Sequence, residues 1–380
     1  MTAPVEPERG PAQPLPLTVL TGFLGAGKTT LLNRLVKDPA LAGTALIINE
    51  FGEVAIDHLL VRSISDNIVL LQSGCLCCTL RGDLVQALES LLRDLDNNRL
   101  DFRRVVLETT GLADPAPVLQ TVMTHPYLVM RFRLDGVVTL VDAVNGDATL
   151  DAHEEAVKQV AFADRLVLTK TDLIPAAERG AVKQALMLRL RALNPAAPIL
   201  DAAAGDATAG ALLNAGLYDP ERKSADVRRW LAHEAYAPAG HDGHNHHHHD
   251  DRNRHDAHIR AFSLATDQAL SAATVDMFFD LLRAVHGPNL LRLKGVVRLA
   301  DDPESPLVIH GVQHILHPPA RLERWPDEDR RTRLVFIVRD IEPEVIQGLF
   351  RAFLGEPAID APDREALLAN PLVPFGGPDH

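Results

Sequence analysis

Two short segments of this chain hold residues whose types and spacing could do chemistry. The first is Gly22-Phe23-Leu24-Gly25-Ala26-Gly27-Lys28-Thr29, which meets every fixed position of the G-x-x-x-x-G-K-[ST] phosphate-loop pattern. Gly22, Gly25, Ala26 and Gly27 let the backbone wrap a phosphate closely, and the helix expected to start at Lys28 adds its N-terminal N–H groups. Lys28 would reach the β- and γ-phosphates and the Thr29 hydroxyl would ligate Mg²⁺. A Gly-rich turn that binds nothing is the plainer alternative, and the flanking strand and helix patterns argue against it. The second segment holds all three cysteines of the chain, Cys75, Cys77 and Cys78. Three neighbouring thiols can offer thiolates to one soft metal ion, with a His, a carboxylate or water completing a tetrahedron. Their plainer reading is free cysteine used as a small buried hydrophobe.

Two further motifs bear on the nucleotide. Thr169-Lys170-Thr171-Asp172 has the Lys and Asp of the guanine-recognising pattern Asn-Lys-x-Asp, with Thr in place of Asn. A carboxylate at Asp172 would accept the amino and imino hydrogens of guanine, a donor pair that adenine lacks. Glu108-Thr109-Thr110-Gly111 closes the apolar run Val105–Leu107. A carboxylate there could support Mg²⁺ through water or orient the attacking water, and Gly111 would permit a loop that senses the γ-phosphate. The competing reading of Glu108 is an ordinary N-cap.

These residues need a scaffold, and its elements are legible. Strand patterns fall at Leu17–Thr21, Thr44–Asn49, Asn67–Gln72, Arg104–Glu108, Asp135–Val141, Arg165–Thr169 and Pro198–Leu200. Most are apolar throughout, as strands buried on both faces of a parallel sheet must be. Helical patterns alternate with them, for example Leu84–Leu95 with Leu84, Leu88, Leu91, Leu92 and Leu95 on one face. The alternation predicts a doubly wound, mainly parallel P-loop α/β domain over 17–226. A smaller α+β domain is expected over 259–360. Its strands are Ile259–Ser263, Leu290–Leu299, Leu307–Val312 and Leu334–Arg339, and its helices Ser271–Val285 and Pro343–Leu354. Residues 1–16 and 361–380 read as tails.

Between the two domains, 227–258 reads as a linker. Eight of the 17 histidines, His241, His244, His246, His247, His248, His249, His255 and His258, fall here among Gly and Asp, with no large aliphatic residue from Pro238 to His258. Neutral imidazoles suit zinc, nickel, copper and cobalt, so the reading is weak metal capture on a mobile chain, against a merely solvated linker. His310, His314 and His317 recur at spacings of four and three, yet Leu307-Val308-Ile309 reads as strand and Pro318-Pro319 stops any helix. A structural or client-binding role is the better expectation for them.

Bulk properties narrow the classes. The 380 residues are 46% hydrophobic and 23% charged, enough for a substantial core. A net charge of -13 argues against general affinity for nucleic acid or anionic membranes. No apolar run approaches the ~18 residues that span a bilayer. Clustered cysteines make a poor disulfide framework, so a reducing cytosol is expected.

Taken together, Thr21–Thr30, Asn49-Glu50-Phe51-Gly52-Glu53, Gly74-Cys75-Leu76-Cys77-Cys78, Glu108 to Pro115 and Thr169–Asp172 resemble the CobW-type family of metal-handling GTPases. The stretches His310–Arg324 and Arg333–Asp340 are similar to that family's C-terminal domain. The resemblance implies GTP hydrolysis with Mg²⁺, contact of Thr30 with the nucleotide, and a metal cargo. Zinc is the commonest cargo, and other members are tied to cobalt in cobalamin synthesis or to metalloenzyme maturation. It also implies Cys75, Cys77 and Cys78 as metal thiolates, Glu50 and Glu53 as further ligands, and a metal-dependent client protein; a homodimer stays open. Two other classes compete: a small-molecule kinase, disfavoured by Thr169–Asp172 and the cysteines, and a passive metal buffer indifferent to nucleotide.

Overall fold

The computed structural model describes residues 14–48, 68–72, 80–213, 258–316 and 319–355. The tail 1–13, the linker up to 257 and the tail 361–380 therefore lie outside the described residues. Seven strands form one sheet: β1 (Leu15–Gly22), β2 (Thr44–Ile48), β3 (Ile68–Gln72), β4 (Arg104–Glu108), β5 (Phe132–Asp142), β6 (Arg165–Thr169) and β7 (Ile199–Asp201). Their order is β3-β2-β4-β1-β5-β6-β7 and every pairing is parallel. β1 starts at Leu15, inside the expected tail, because its pairing with β5 extends to Leu15↔Phe132.

Alternation along each strand feeds two cores. Leu17, Val19, Ala45, Ile47, Val105 and Leu107 face α2 (Leu80–Asp96), α3 (Ala116–Thr124), α6 (Glu154–Phe162) and α7 (Arg179–Leu193). Leu20, Leu46, Val106, Val138 and Val167 face α1 (Lys28–Leu35) and the short α8 (Ala209–Leu212). Both faces are covered, which is why these strands read as continuous apolar runs. Two short helices, α4 (Leu128–Arg131) and α5 (Gly146–Ala152), flank β5. From β1 the chain builds the sheet first on one side through β2, β3 and β4, and then on the other from β5. The crevice for a ligand at such a reversal of strand order lies beyond the carboxyl ends of the strands. Gly22, Glu108 and Thr169 sit at those ends.

The second sheet is antiparallel, in the order β11-β10-β9-β13-β8, with β12 also paired to β10. Its strands are β8 (Ile259–Thr266), β9 (Leu290–Val297), β10 (Leu307–Val312), β11 (Ile315–Leu316), β12 (Ala320–Arg321) and β13 (Thr332–Arg339). One face packs under α9 (Ala272–His286) and α10 (Pro343–Phe353) through Phe262, Phe278, Phe336 and Phe350. α9 begins where Ser271 accepts a hydrogen bond from the Thr274 N–H, an N-cap that fixes its first turn.

The other face rests on the first domain. Ile259, Leu291, Val312 and Ile337 join the α2/α6 core. The Asp164 carboxylate lies 2.7 Å from Arg292 and 2.5 Å from Lys294, with all three side chains buried or nearly so. Arg339 pairs with Glu154 at 2.5 Å, and Gln120 donates to Gln313. No described helix is long and apolar enough to cross a membrane.

Candidate nucleotide and metal site

β1 ends in a loop whose conformation only glycine tolerates easily. Gly25 and Gly27 have φ of 73° and 87°, in the left-handed region, and Gly27 is the N-cap of α1. A Cβ on Gly22 would lie 2.6 Å from the Leu140 carbonyl oxygen, so the loop can leave β1 beside β5 only with glycine there. Lys28 is buried, and its ammonium donates to the Gly22 and Phe23 carbonyls at 2.9 and 3.3 Å. Its charge thus sits inside the loop that would cradle a phosphate. Thr29 and Thr30 follow in the first turn of α1.

Glu108 is buried at the end of β4, level with Leu20 of β1 on one side and Ile48 of β2 on the other. The next residue fastens this loop to β1. The Thr109 N–H donates to the Leu20 carbonyl and its hydroxyl donates to Thr21 Oγ1 at 2.8 Å. Gly111 then meets the phosphate loop directly: a Cβ there would stand 2.6 Å from the Leu24 backbone nitrogen. The loop after Glu108 therefore lies directly on the backbone of the phosphate loop at Leu24. Glu108 is the last residue of β4, so the N-cap alternative does not describe it; α3 starts eight residues later, after Pro115.

At the end of β6, Thr169 stands where the guanine-recognising pattern has Asn. The Thr169 hydroxyl donates to the Ala26 carbonyl at 2.8 Å, tying the guanine-type motif to the phosphate loop. Lys170 takes a left-handed backbone, φ 59°, and pairs with Asp142 at 2.8 Å. Burial would raise the Asp142 carboxyl, but hydrogen bonds from Lys170, Asn145 and the Val144 N–H outweigh it and hold the group below the usual carboxylate range. Asp172 is exposed at the mouth of a cleft of about 440 Å³, whose lining includes Gly27, Thr30, Arg34, Thr169, Lys170 and Ala203. That is the volume range of small-molecule sites.

The structure therefore brings Gly22, Gly25, Ala26, Gly27, Lys28, Thr29, Thr30, Glu108, Gly111, Thr169, Lys170 and Asp172 to one end of the sheet. Several partners had no signature in the sequence. Ala202 and Ala203, after β7, line the cleft through backbone and methyl groups, so their residue types say nothing. Their turn is set by Asp201, which accepts from the Ala203 and Ala204 N–H groups and from Thr171 and Lys183. Burial opposes its ionisation, and these bonds nevertheless lower its carboxyl. Gln159, inside α6, donates to the Gly111 and Ala113 carbonyls at 3.2 and 3.0 Å. A helix-interior Gln reads from sequence as a solvated residue.

Glu50, Glu53, Cys75, Cys77 and Cys78 lie outside the described residues. Among the described residues no group of three or more His, Cys, Asp or Glu side chains could hold a metal. His310 is buried within β10, as the strand pattern required, and His314 packs against Gly287. His317 is outside the described residues.

Comparison with known proteins agrees with this geometry. Residues 16–201 match the family model described as CobW/HypB/UreG, nucleotide-binding domain, and residues 259–354 match the cobalamin synthesis protein cobW C-terminal domain. The zinc chaperone YjiA of Escherichia coli is 34% identical over 338 residues, covering 89% of this chain and 98% of that protein. The zinc chaperone CobW of a Sinorhizobium species is 30% identical, covering 90% and 97%. The crystal structure of Zn(II)-bound YjiA GTPase superimposes with a TM-score of 0.65 at 29% identity, over 90% of this chain and 99% of that one. The phosphate loop, the guanine-type motif and the two matched domains, in this order, make the chain a P-loop GTPase of the CobW/HypB/UreG family.

Proposed function

We propose that the protein is a GTP-driven metallochaperone whose cargo is zinc, loaded in one nucleotide state and passed to a client protein in the other. The observation that carries this reading is a register. Ile48 at the end of β2 is level with Gln72 at the end of β3 and with Glu108 at the end of β4. The chain that holds Glu50 and Glu53 leaves β2, the chain that holds Cys75, Cys77 and Cys78 leaves β3, and the γ-phosphate loop leaves β4. All three depart from the carboxyl end of the sheet, on adjacent strands. The names of the zinc chaperones to which the chain is similar point the same way.

The residues have separable tasks. Lys28 and the backbone of Gly25 to Thr30 hold the phosphates, and Asp172 selects guanine. The Thr29 hydroxyl and the Glu108 carboxylate are hard oxygen donors suited to Mg²⁺, which supplies charge neutralisation on the transferring phosphate. Cys75, Cys77 and Cys78, with Glu50 and Glu53, form the cargo site; thiolates favour zinc over magnesium. If the cargo segment responds to nucleotide, zinc affinity must differ between the two states, because a ligand shifts an equilibrium only by its differential affinity. The histidines of 241–258 would collect ions weakly beside the two domains, 17–226 and 259–360.

Turnover of GTP and ATP with and without Zn²⁺ or Co²⁺, for the parent and for Cys77→Ser, tests the reading. Preference for GTP, a response to Zn²⁺ and loss of that response in Cys77→Ser support it. Turnover indifferent to metal in both proteins refutes the coupling, and preference for ATP refutes the nucleotide assignment.

A further inference from the structure

The loop after Glu108 must be held against the phosphate loop, and its own residues do only part of this. Thr109 anchors its start to β1. Beyond it, Gly111 stands against Leu24 of the phosphate loop, closer than any side chain would permit. The side chain that fixes this stretch comes from another element. Gln159 of α6 is 1% exposed, and its carboxamide nitrogen donates to the carbonyls of both Gly111 and Ala113. Two acceptors on the nitrogen settle the orientation of the amide. Its own backbone carbonyl accepts from the Thr139 hydroxyl of β5 at 2.8 Å, so the residue is clamped to the central sheet. Its Oε1 is buried with no partner among the described residues, and the residue lines a cavity of about 200 Å³ behind Phe23 to Ala26. A buried carboxamide with one end unspent is costly for packing alone, since its unsatisfied acceptor has given up water for nothing.

α6 is also tied at both ends to other elements. His153, just before it, stacks on Phe23 of the phosphate loop with ring centroids 4.4 Å apart. Glu154 pairs with Arg339 of β13, and Asp164, just after it, with Arg292 and Lys294 of β9. Gln159 therefore projects from a fixed strut onto the one loop that must register the γ-phosphate.

We propose that Gln159 is a positioning residue for GTP hydrolysis. It holds the Gly111 and Ala113 carbonyls so that the loop from Glu108 stays seated on Leu24, in the place where attacking water and γ-phosphate are aligned. This rests on the assignment of Glu108 and Gly111 to the hydrolytic loop. Nucleotide affinity comes from the phosphate loop and the Asp172 cleft, whereas the Gln159 carboxamide donates to Gly111 and Ala113. Its loss should therefore slow the chemical step and spare binding.

The test uses the full chain and the variants Gln159→Leu and Gln159→Asn, with steady-state GTP hydrolysis, GDP affinity and thermal unfolding measured together. Leucine keeps the volume without a donor, and asparagine keeps the donor one methylene short. Gln159→Leu should lose at least about tenfold in kcat, as small misplacements of reacting groups do. GDP affinity should stay within about threefold, and Gln159→Asn should fall between leucine and parent. A kcat within about threefold of the parent, or GDP affinity that falls as far as kcat, overturns the proposal. Should the leucine variant fail to fold, asparagine decides by the same two readings. Parental turnover is the separate check on the hydrolytic assignment: a parent that does not hydrolyse GTP overturns both.

Discussion

Replacing Asp164 by Asn should loosen the seam between the two sheets more than any other single polar change. The Asp164 side chain is 7% exposed, and its Oδ1 meets Arg292 and Lys294 while Oδ2 accepts from the Val137 N–H at 2.9 Å. Burial alone would raise its carboxyl, but Arg292 and Lys294 hold it far below the ordinary carboxylate range. Burial in turn pushes the Lys294 ammonium down, against the pull of Asp164. The isosteric amide removes the negative charge and leaves two cations facing each other in a dry contact. Removing one partner of a buried ion pair costs about 3–5 kcal/mol, and the same is expected here. The assay is urea unfolding of parent and variant at pH 7, with Arg292→Met and the double variant closing a cycle. The pH dependence has a definite sign. A carboxyl held lower in the folded state stabilises above its unfolded value, about 3.9, and loses that contribution as pH falls toward the folded one. The difference between parent and variant should thus shrink in strong acid, as the Asp164 carboxyl of the parent protonates. A difference below about 1 kcal/mol at pH 7 would show that the ions are not desolvated as the packing implies.

Three further outcomes follow from the site. Gly111→Ala puts a methyl 2.6 Å from the Leu24 nitrogen, a backbone atom that cannot swing aside, so the loop must lift. GTP turnover should drop by at least about tenfold while GDP binding persists, and unchanged turnover would remove the contact from the mechanism. Thr169→Val deletes the bond to the Ala26 carbonyl but keeps the shape, and calorimetry should show GDP affinity weakened by about 1 kcal/mol, whereas Thr169→Asn should restore it. Asp172→Asn replaces an acceptor by an amide that cannot take both guanine hydrogens; GDP affinity should fall by about 100-fold, with little change in thermal stability because Asp172 is exposed.

The parallel sheet was legible because strands buried on both faces write long apolar runs; β2, β4 and β6 start at the expected Thr44, Arg104 and Arg165, while β1 reaches back to Leu15 and β5 to Phe132. Their spatial order was not, since nothing in a strand's residues says which neighbour it takes. The phosphate loop was legible because its glycines are demanded by backbone geometry, as at Gly22 and Gly27. The clamps around it were silent. Gln159 works from a helix interior, Ala203 contributes a methyl and an N–H, and Asp142 and Lys170 meet only after folding across 28 residues. The seam between the domains was hidden for a similar reason. Arg292 and Lys294 alternate with apolar residues along β9, a pattern that in an antiparallel strand signals a solvated face. Here that face is buried, because Asp164 compensates the charges.

In the proposed function, nucleotide state and metal affinity are coupled. The most direct test is zinc affinity of the full chain, by competition with a chromophoric chelator, in the presence of Mg²⁺ with a non-hydrolysable GTP analogue and then with GDP. A coupling free energy of about 1–3 kcal/mol corresponds to a change of about 5–150-fold, and a difference of at least about fivefold, abolished in Cys77→Ser, is the predicted result. Equal affinities in the two nucleotide states would refute the coupling and leave a GTPase that carries metal without being driven to load or release it.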